Sequence, residues 1–158
     1  MEAQDFRRRV WDEMLFAAMR ANYFGEMVLW YQNLEKWIRV VILVASSGAA
    51  ATVLAKTPDW LKLGLPIIAA AGSFWLILSQ FGMLAREASD IHAGWNSVEA
   101  RYERLWNSLE EPGSEMLFDQ IYDSANALSK AGTKFPNRQK RLAHCLDQAS
   151  QIATARYA

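Results

Sequence analysis

An all-α membrane protein is the fold class this sequence predicts, and three observations predict it. Two long apolar runs stand close together, helix breakers are missing from the long stretches on either side, and apolar residues in those stretches recur at steps of three and four. The first run, Val40 to Ala55, has no formal charge over sixteen residues. With Trp37, Ile38 and Arg39, whose long stem can snorkel, it reaches about nineteen, enough to cross a hydrocarbon core of about 30 Å as a helix. The second run, Leu63 to Leu84, is twenty-two residues without a formal charge. Its Pro66 is expected in the first turn, where a missing N–H costs least. The pair therefore predicts a two-helix transmembrane hairpin, spans at about 37–55 and 63–84, joined by Lys56-Thr57-Pro58-Asp59-Trp60-Leu61-Lys62. The alternative is a soluble helical protein with two buried core helices.

Residues 2–36 contain no proline and one glycine, Gly25. Phe6, Val10, Met14, Ala17, Ala21, Phe24, Val28 and Tyr31 form one apolar stripe on a helix. With no breaker before Arg39, this helix is expected to run straight into the first span as a rod of about 75 Å. Residues 1–36 thus form an N-terminal cytoplasmic helix, 37–84 the hairpin and 85–158 a cytoplasmic helical region with helices at about 85–111, 114–130 and 136–156. In the first of these, Ile91, Trp95, Val98, Tyr102, Leu105 and Leu109 keep a four-three repeat, the mark of a seam packed on another helix. The N-terminal stripe is the expected partner, and the same helix of a second subunit the alternative. Pro112-Gly113 ends that helix, and Ser114 is the expected N-cap of the next, whose apolar face is Leu117, Ile121, Ala125 and Leu128. Gly132 closes it. In the last helix Leu142, Cys145, Leu146, Ala149 and Ile152 are expected to face inward, both short helices folding back on the stalk.

The hairpin places both termini on one side. Lys36, Arg39 and Arg86 flank it there against Lys56 and Lys62 in the loop, so both termini are expected in the cytoplasm and the protein in the inner membrane. No secretory signal is expected, because the first apolar run starts near residue 37 behind a charged stretch. The lone Cys145 excludes an internal disulfide.

Formal net charge is zero, but it is unevenly spread. Residues 87–123 hold nine acids and two arginines, whereas Lys130, Lys134, Arg138, Lys140 and Arg141 are five bases without an acid between them. The basic run is a candidate contact for a partner helix, anionic lipid or a phosphate-bearing ligand. Arg7, Arg8 and Arg9 are offset by Asp5, Asp12 and Glu13, the pattern of a solvated face without nucleic-acid contact.

Catalytic chemistry leaves no trace. There is no glycine-rich phosphate loop and no metal-ligand spacing, and the Glu99 and Glu103 pair on one helix face reads as solubilising, so neither an enzyme nor a cofactor is expected. The spans are more informative. Small residues, Ala45 to Thr52 in the first and Ala69 to Ser73 in the second, let helices approach closely and predict a homo-oligomer. Ser46, Ser47, Gly48, Thr52, Ser73 and Gln80 are the candidate pore or span-packing positions, the Gln80 amide being the costliest in lipid.

A long N-terminal helix with aromatic residues (Tyr23, Phe24, Trp30, Tyr31), two spans with a short loop, a heptad helix and a tail containing Lys134-Phe135-Pro136 together resemble the SLATT domains. These are two-span effector modules found beside nucleotide-signalling enzymes or reverse transcriptases in bacterial conflict systems. The resemblance implies an antiphage membrane effector that oligomerises and permeabilises or depolarises the inner membrane, causing growth arrest or abortive infection. It implies no catalytic residue, and its trigger would be a separate activating or inhibiting protein or a nucleotide signal. The alternatives are a non-toxic membrane scaffold or regulatory subunit, and a small oligomeric ion channel.

Overall fold

A computed structural model describes residues 2–54 and 58–157; within its helices the side chains of residues 2, 3, 48–54, 59, 61–63, 65 and 76–79 are outside the description. The described residues are almost all helical: α1 (Glu2–Leu54), α2 (Asp59–Ser79), α3 (Phe81–Asn107), α4 (Ser114–Gly132) and α5 (Gln139–Tyr157). They divide into two compact units, one of Met1–Met27 with Glu87–Ala158, the other of Val28–Arg86.

The first unit is an up-down-up-down bundle of the start of α1 with α3, α4 and α5. Its directions follow from the cross-contacts. Phe16 meets Trp95 and Trp11 meets Trp106, so α1 and α3 run antiparallel. Phe6 meets Phe118 while Phe24 meets Phe135 just past α4, so α4 runs with α1. Tyr157 returns to Trp11 and Trp106 at the end of α5. The four-three repeat of α3 faces inward as its spacing predicts: Ile91, Trp95, Val98, Tyr102 and Leu105 are buried, as are Val10, Met14, Ala17, Ala21 and Phe24 of α1. Ile91 and its followers gain contact only because the N-terminal stripe has the same period, so one seam closes along several turns. Arg7, Arg8 and Arg9 are exposed, as the solvated-face pattern predicts, and Arg7 and Arg9 also lay their guanidinium groups over Trp106 and Phe118, each 5.0 Å from the ring centroid.

The short helices differ in detail from their sequence patterns. Phe118, not Leu117, is buried in α4 beside Ile121 and Ala125, because the larger ring fills the space next to Phe6 and Tyr102. Cys145, Ala149 and Ala153 form the inner face of α5, and Leu146 and Ile152 are exposed. Steps of four through small side chains let α5 lie close to its neighbours, which a leucine stripe would prevent. Ser114 does not cap α4; the cap position is Gly113 at φ 96°, a left-handed conformation that a residue with a Cβ rarely adopts. α3 stops at Asn107, and turns through residues 108–113 replace the last helical turn expected there.

In the second unit α1 and α2 are antiparallel. Glu35 Oε2 lies 3.3 Å from where a Cβ on Gly82 would stand, Ile42 Cγ1 lies 3.0 Å from the same point on Gly72, and Tyr31 meets Phe81. Two features depart from the expected second span. α2 begins at Asp59 behind Pro58, so Pro66 lies inside the helix and not in its first turn. Pro58 already supplies the start, and Pro66 removes one internal backbone donor. The apolar run is also interrupted: Gln80 adopts φ 46° and ψ 34°, and α3 restarts on its carbonyl, which accepts from the Met83 and Leu84 N–H groups at 2.9 and 3.0 Å. Among the described residues no helix is long and apolar enough to cross a membrane.

Candidate functional site

The candidate positions of the apolar runs take different environments. Ser46 and Ser47 are exposed, and their hydroxyls donate to the Ile42 and Leu43 carbonyls one turn back at 2.7 and 2.8 Å. Ser73 is half-buried and donates to the Ala69 carbonyl at 2.8 Å. Each hydroxyl is thus satisfied by its own helix, which is how serine is accommodated where water is absent. Gly48 and Thr52 lie outside the described side chains. Gln80 sits not within a helix but at the α2–α3 break, and it is exposed.

The distribution of bulk in this unit is inverted. Gly64, Ala69, Gly72 and Ser73 occupy the half-covered face of α2, while Ile67, Ile68, Phe74 and Trp75 point outward with 65, 52, 65 and 61% of their surface exposed. On α1, Trp37, Leu43 and Val44 do the same at 68, 67 and 65%. Large apolar side chains thus face outward on both helices of this unit, whereas Trp95, Tyr102 and Leu105 of the first unit are wholly buried. Arg39, at the start of the apolar run, is paired with Glu35.

The five bases lie at the α4–α5 turn, at the end of the bundle that also carries Tyr23, Phe24 and Glu87. Lys134 pairs with Glu87 and lies over the Phe135 ring, so one of the bases meets the acidic stretch directly. The turn is held by Tyr23, whose hydroxyl donates to the Pro136 carbonyl and accepts from the Arg138 N–H at 3.2 Å. Lys130 and Lys140 are exposed and Arg141 half-buried. Behind the turn is a cavity of about 220 Å³ lined by Arg20, Tyr23, Phe24, Ser129, Thr133 and Asn137 among others. Arg20 was not foreseen from sequence. Its spacing from Tyr23 and Phe24 puts it beside the inner stripe, but only the fold brings the α4–α5 turn over it.

A second cavity, of about 80 Å³, lies between α1, α3 and α5 and is lined by Met14, Ala18, Glu99, Glu103, Ala149 and Arg156 among others. Arg156 closes it by pairing with Glu103. Burial, with the Glu103 charge adding to it, raises the Glu99 pKa above the ordinary 4.5. A carboxyl raised in the folded state is a net cost once ionised, so its penalty is absent below 4.5 and appears as pH rises through the folded value. Glu99→Gln should therefore raise the thermal midpoint at neutral pH, with no difference from the parent below that range. A gain that persists in acid would place its origin elsewhere. The pair read as solubilising is thus unequal: Glu103 is held by an arginine and Glu99 is not. Among the described residues no cluster of three or more His, Cys, Asp or Glu side chains could hold a metal ion. No family model, curated protein or solved structure matches the chain.

Proposed function

We propose that the chain is a two-span effector of the inner membrane, with its spans in the apolar parts of α1 and α2, that oligomerises and depolarises the membrane to arrest growth in antiphage defence. The observation that carries the membrane step is the inverted packing of the second unit. Large apolar side chains facing outward over two adjacent helices cost about 25 cal/mol for each Å² left in water, and lipid removes that cost. Length and apolarity of the described helices do not carry this reading; the direction of their side chains does. The glycine contact of Gly72 with Ile42 fits helix association in lipid, where close backbone approach replaces hydrophobic drive. Both termini lie in the cytoplasm in this reading, and a separate protein or nucleotide signal acts through the bundle.

The effector step follows the overall layout and the exposed small face at Ser46 and Ser47, which is free to pack against a second copy. Two measurements test the two steps separately. Extraction of the membrane fraction with alkaline carbonate should leave the chain in the pellet; release into the supernatant rejects the spans. A voltage-sensitive dye in expressing cells should report depolarisation together with arrested growth. Retention in the membrane with normal growth and potential, even beside the neighbouring genes, assigns the chain to the second reading, a non-toxic scaffold. That reading is favoured by the hydroxyls of Ser46, Ser47 and Ser73 being satisfied within their own helices, which leaves none of these three calling for a wet path.

A further inference from the structure

We infer that the cavity behind the α4–α5 turn binds a phosphate-bearing group, with Arg20 pairing its charge and Ser129 and Asn137 supplying neutral donors. Arg20 is the reason. Its guanidinium lies 5.1 Å from the Phe16 ring centroid, its Nε is buried without a hydrogen-bond partner, and among the described residues no carboxylate pairs with it. A half-buried arginine held against a ring and left without an anion is a site prepared for one, because the planar fork matches phosphate oxygens at little further cost in ordering. Burial lowers the Arg20 pKa from its ordinary value, which is the desolvation an incoming anion would offset.

The surroundings favour phosphate over a carboxylate peptide or a metal. Among the described residues the Ser129 hydroxyl and the Asn137 amide make no hydrogen bond in the protein, whereas Thr133 Oγ1 donates to the Lys130 carbonyl at 2.8 Å and the Tyr23 hydroxyl is already used to hold the turn. Lys130, Lys134 and Arg138 adjoin these lining residues in sequence, so the local charge is positive although Glu87 is close enough to hold Lys134. At about 220 Å³ the cavity falls below the range of drug-sized ligand sites, about 300–1,000 Å³, and suits a phosphate with a small attached group. Tyr23, Phe24 and Phe135 give that group apolar walls. The turn exists in this form because Tyr23 ties it down across more than a hundred residues of chain.

The cavity lies wholly in the first unit, so the inference stands apart from the membrane reading. The probe is inorganic phosphate, added to the full chain in mild detergent and followed by phosphorus NMR line width. Saturable broadening is expected, weakened at least about tenfold by Arg20→Met, recovered in part by Arg20→Lys, and weakened by Asn137→Leu on the exposed turn. Circular dichroism melting confirms that each variant folds, and if Arg20→Met does not, Asn137→Leu decides. Absence of saturable broadening, or broadening indifferent to both Arg20→Met and Asn137→Leu, overturns the site. The source of the phosphate is then read by reconstitution. Phosphate binding kept in phosphatidylcholine vesicles but lost when phosphatidylglycerol is included identifies a lipid headgroup as occupant, and binding kept in both identifies a soluble phosphate compound.

Discussion

Replacing Trp95 by alanine is expected to remove about 3–5 kcal/mol from the stability of the bundle, the range for deleting a fully buried aromatic side chain. Trp95 has no exposed surface and lies edge-on to Phe16, with centroids 5.8 Å apart and planes at 78°. It stands in the middle of the α1–α3 seam, so its loss opens a cavity that neither helix can collapse into without shifting the register of both. Because domains of this kind are stable by about 5–15 kcal/mol, most of the cooperative melt should disappear at moderate temperature, as followed by circular dichroism. The paired control is Tyr102→Phe. Tyr102 is equally buried, but its hydroxyl has no hydrogen-bond partner, and so removing the oxygen costs nothing in packing and releases an unsatisfied group. Its midpoint should equal or exceed that of the parent. A Trp95→Ala loss under about 1 kcal/mol, or a Tyr102→Phe loss as large as that of Trp95→Ala, would contradict the packing described for α3.

On the proposed membrane function, Gly72→Leu is expected to abolish depolarisation while Phe74→Leu leaves it intact. A Cβ at Gly72 would stand 3.0 Å from Ile42 Cγ1, nearer than most real contacts, and three more carbons have no room unless α2 moves away from α1. Overpacking of this sort costs about 1–3 kcal/mol, and in lipid there is no hydrophobic force to hold the helices together against it. Phe74, two residues on, is 65% exposed, and a smaller apolar side chain there changes only the outer surface. The measurement is dye fluorescence in cells matched for the amount of protein in the membrane fraction. If the two variants behave alike, the close contact of α1 and α2 has no part in the effect.

Helices were legible because their causes are local. A missing breaker, a four-three repeat and a glycine such as Gly132 act within a few residues, and α1, α3 and α4 follow those signals to within a turn. The inward face of α3 was legible for the same reason, since Trp95, Val98, Tyr102 and Leu105 offered one apolar stripe and no rival. Where two stripes were available the sequence could not choose. Leu117 and Phe118 both lead to Ile121 and Ala125 at helical steps, and α5 offers leucines on one side and small residues on another. Neighbours settle such cases, by the volume they leave and by how close they come.

Helical structure, the seam of α3 and the apolar character of the runs 40–55 and 63–84 therefore follow from the chain alone, because periodicity and composition are properties of short stretches. Tertiary structure decided what joins distant stretches or overrides a local preference. Gln80 is left-handed although nothing in its apolar surroundings calls for a break, and that conformation costs a residue with a Cβ about 1 kcal/mol or more. Arg20 lines a cavity because Tyr23 draws in a turn from the far end of the chain. Such placements depend on which surfaces meet, and a linear pattern does not encode that.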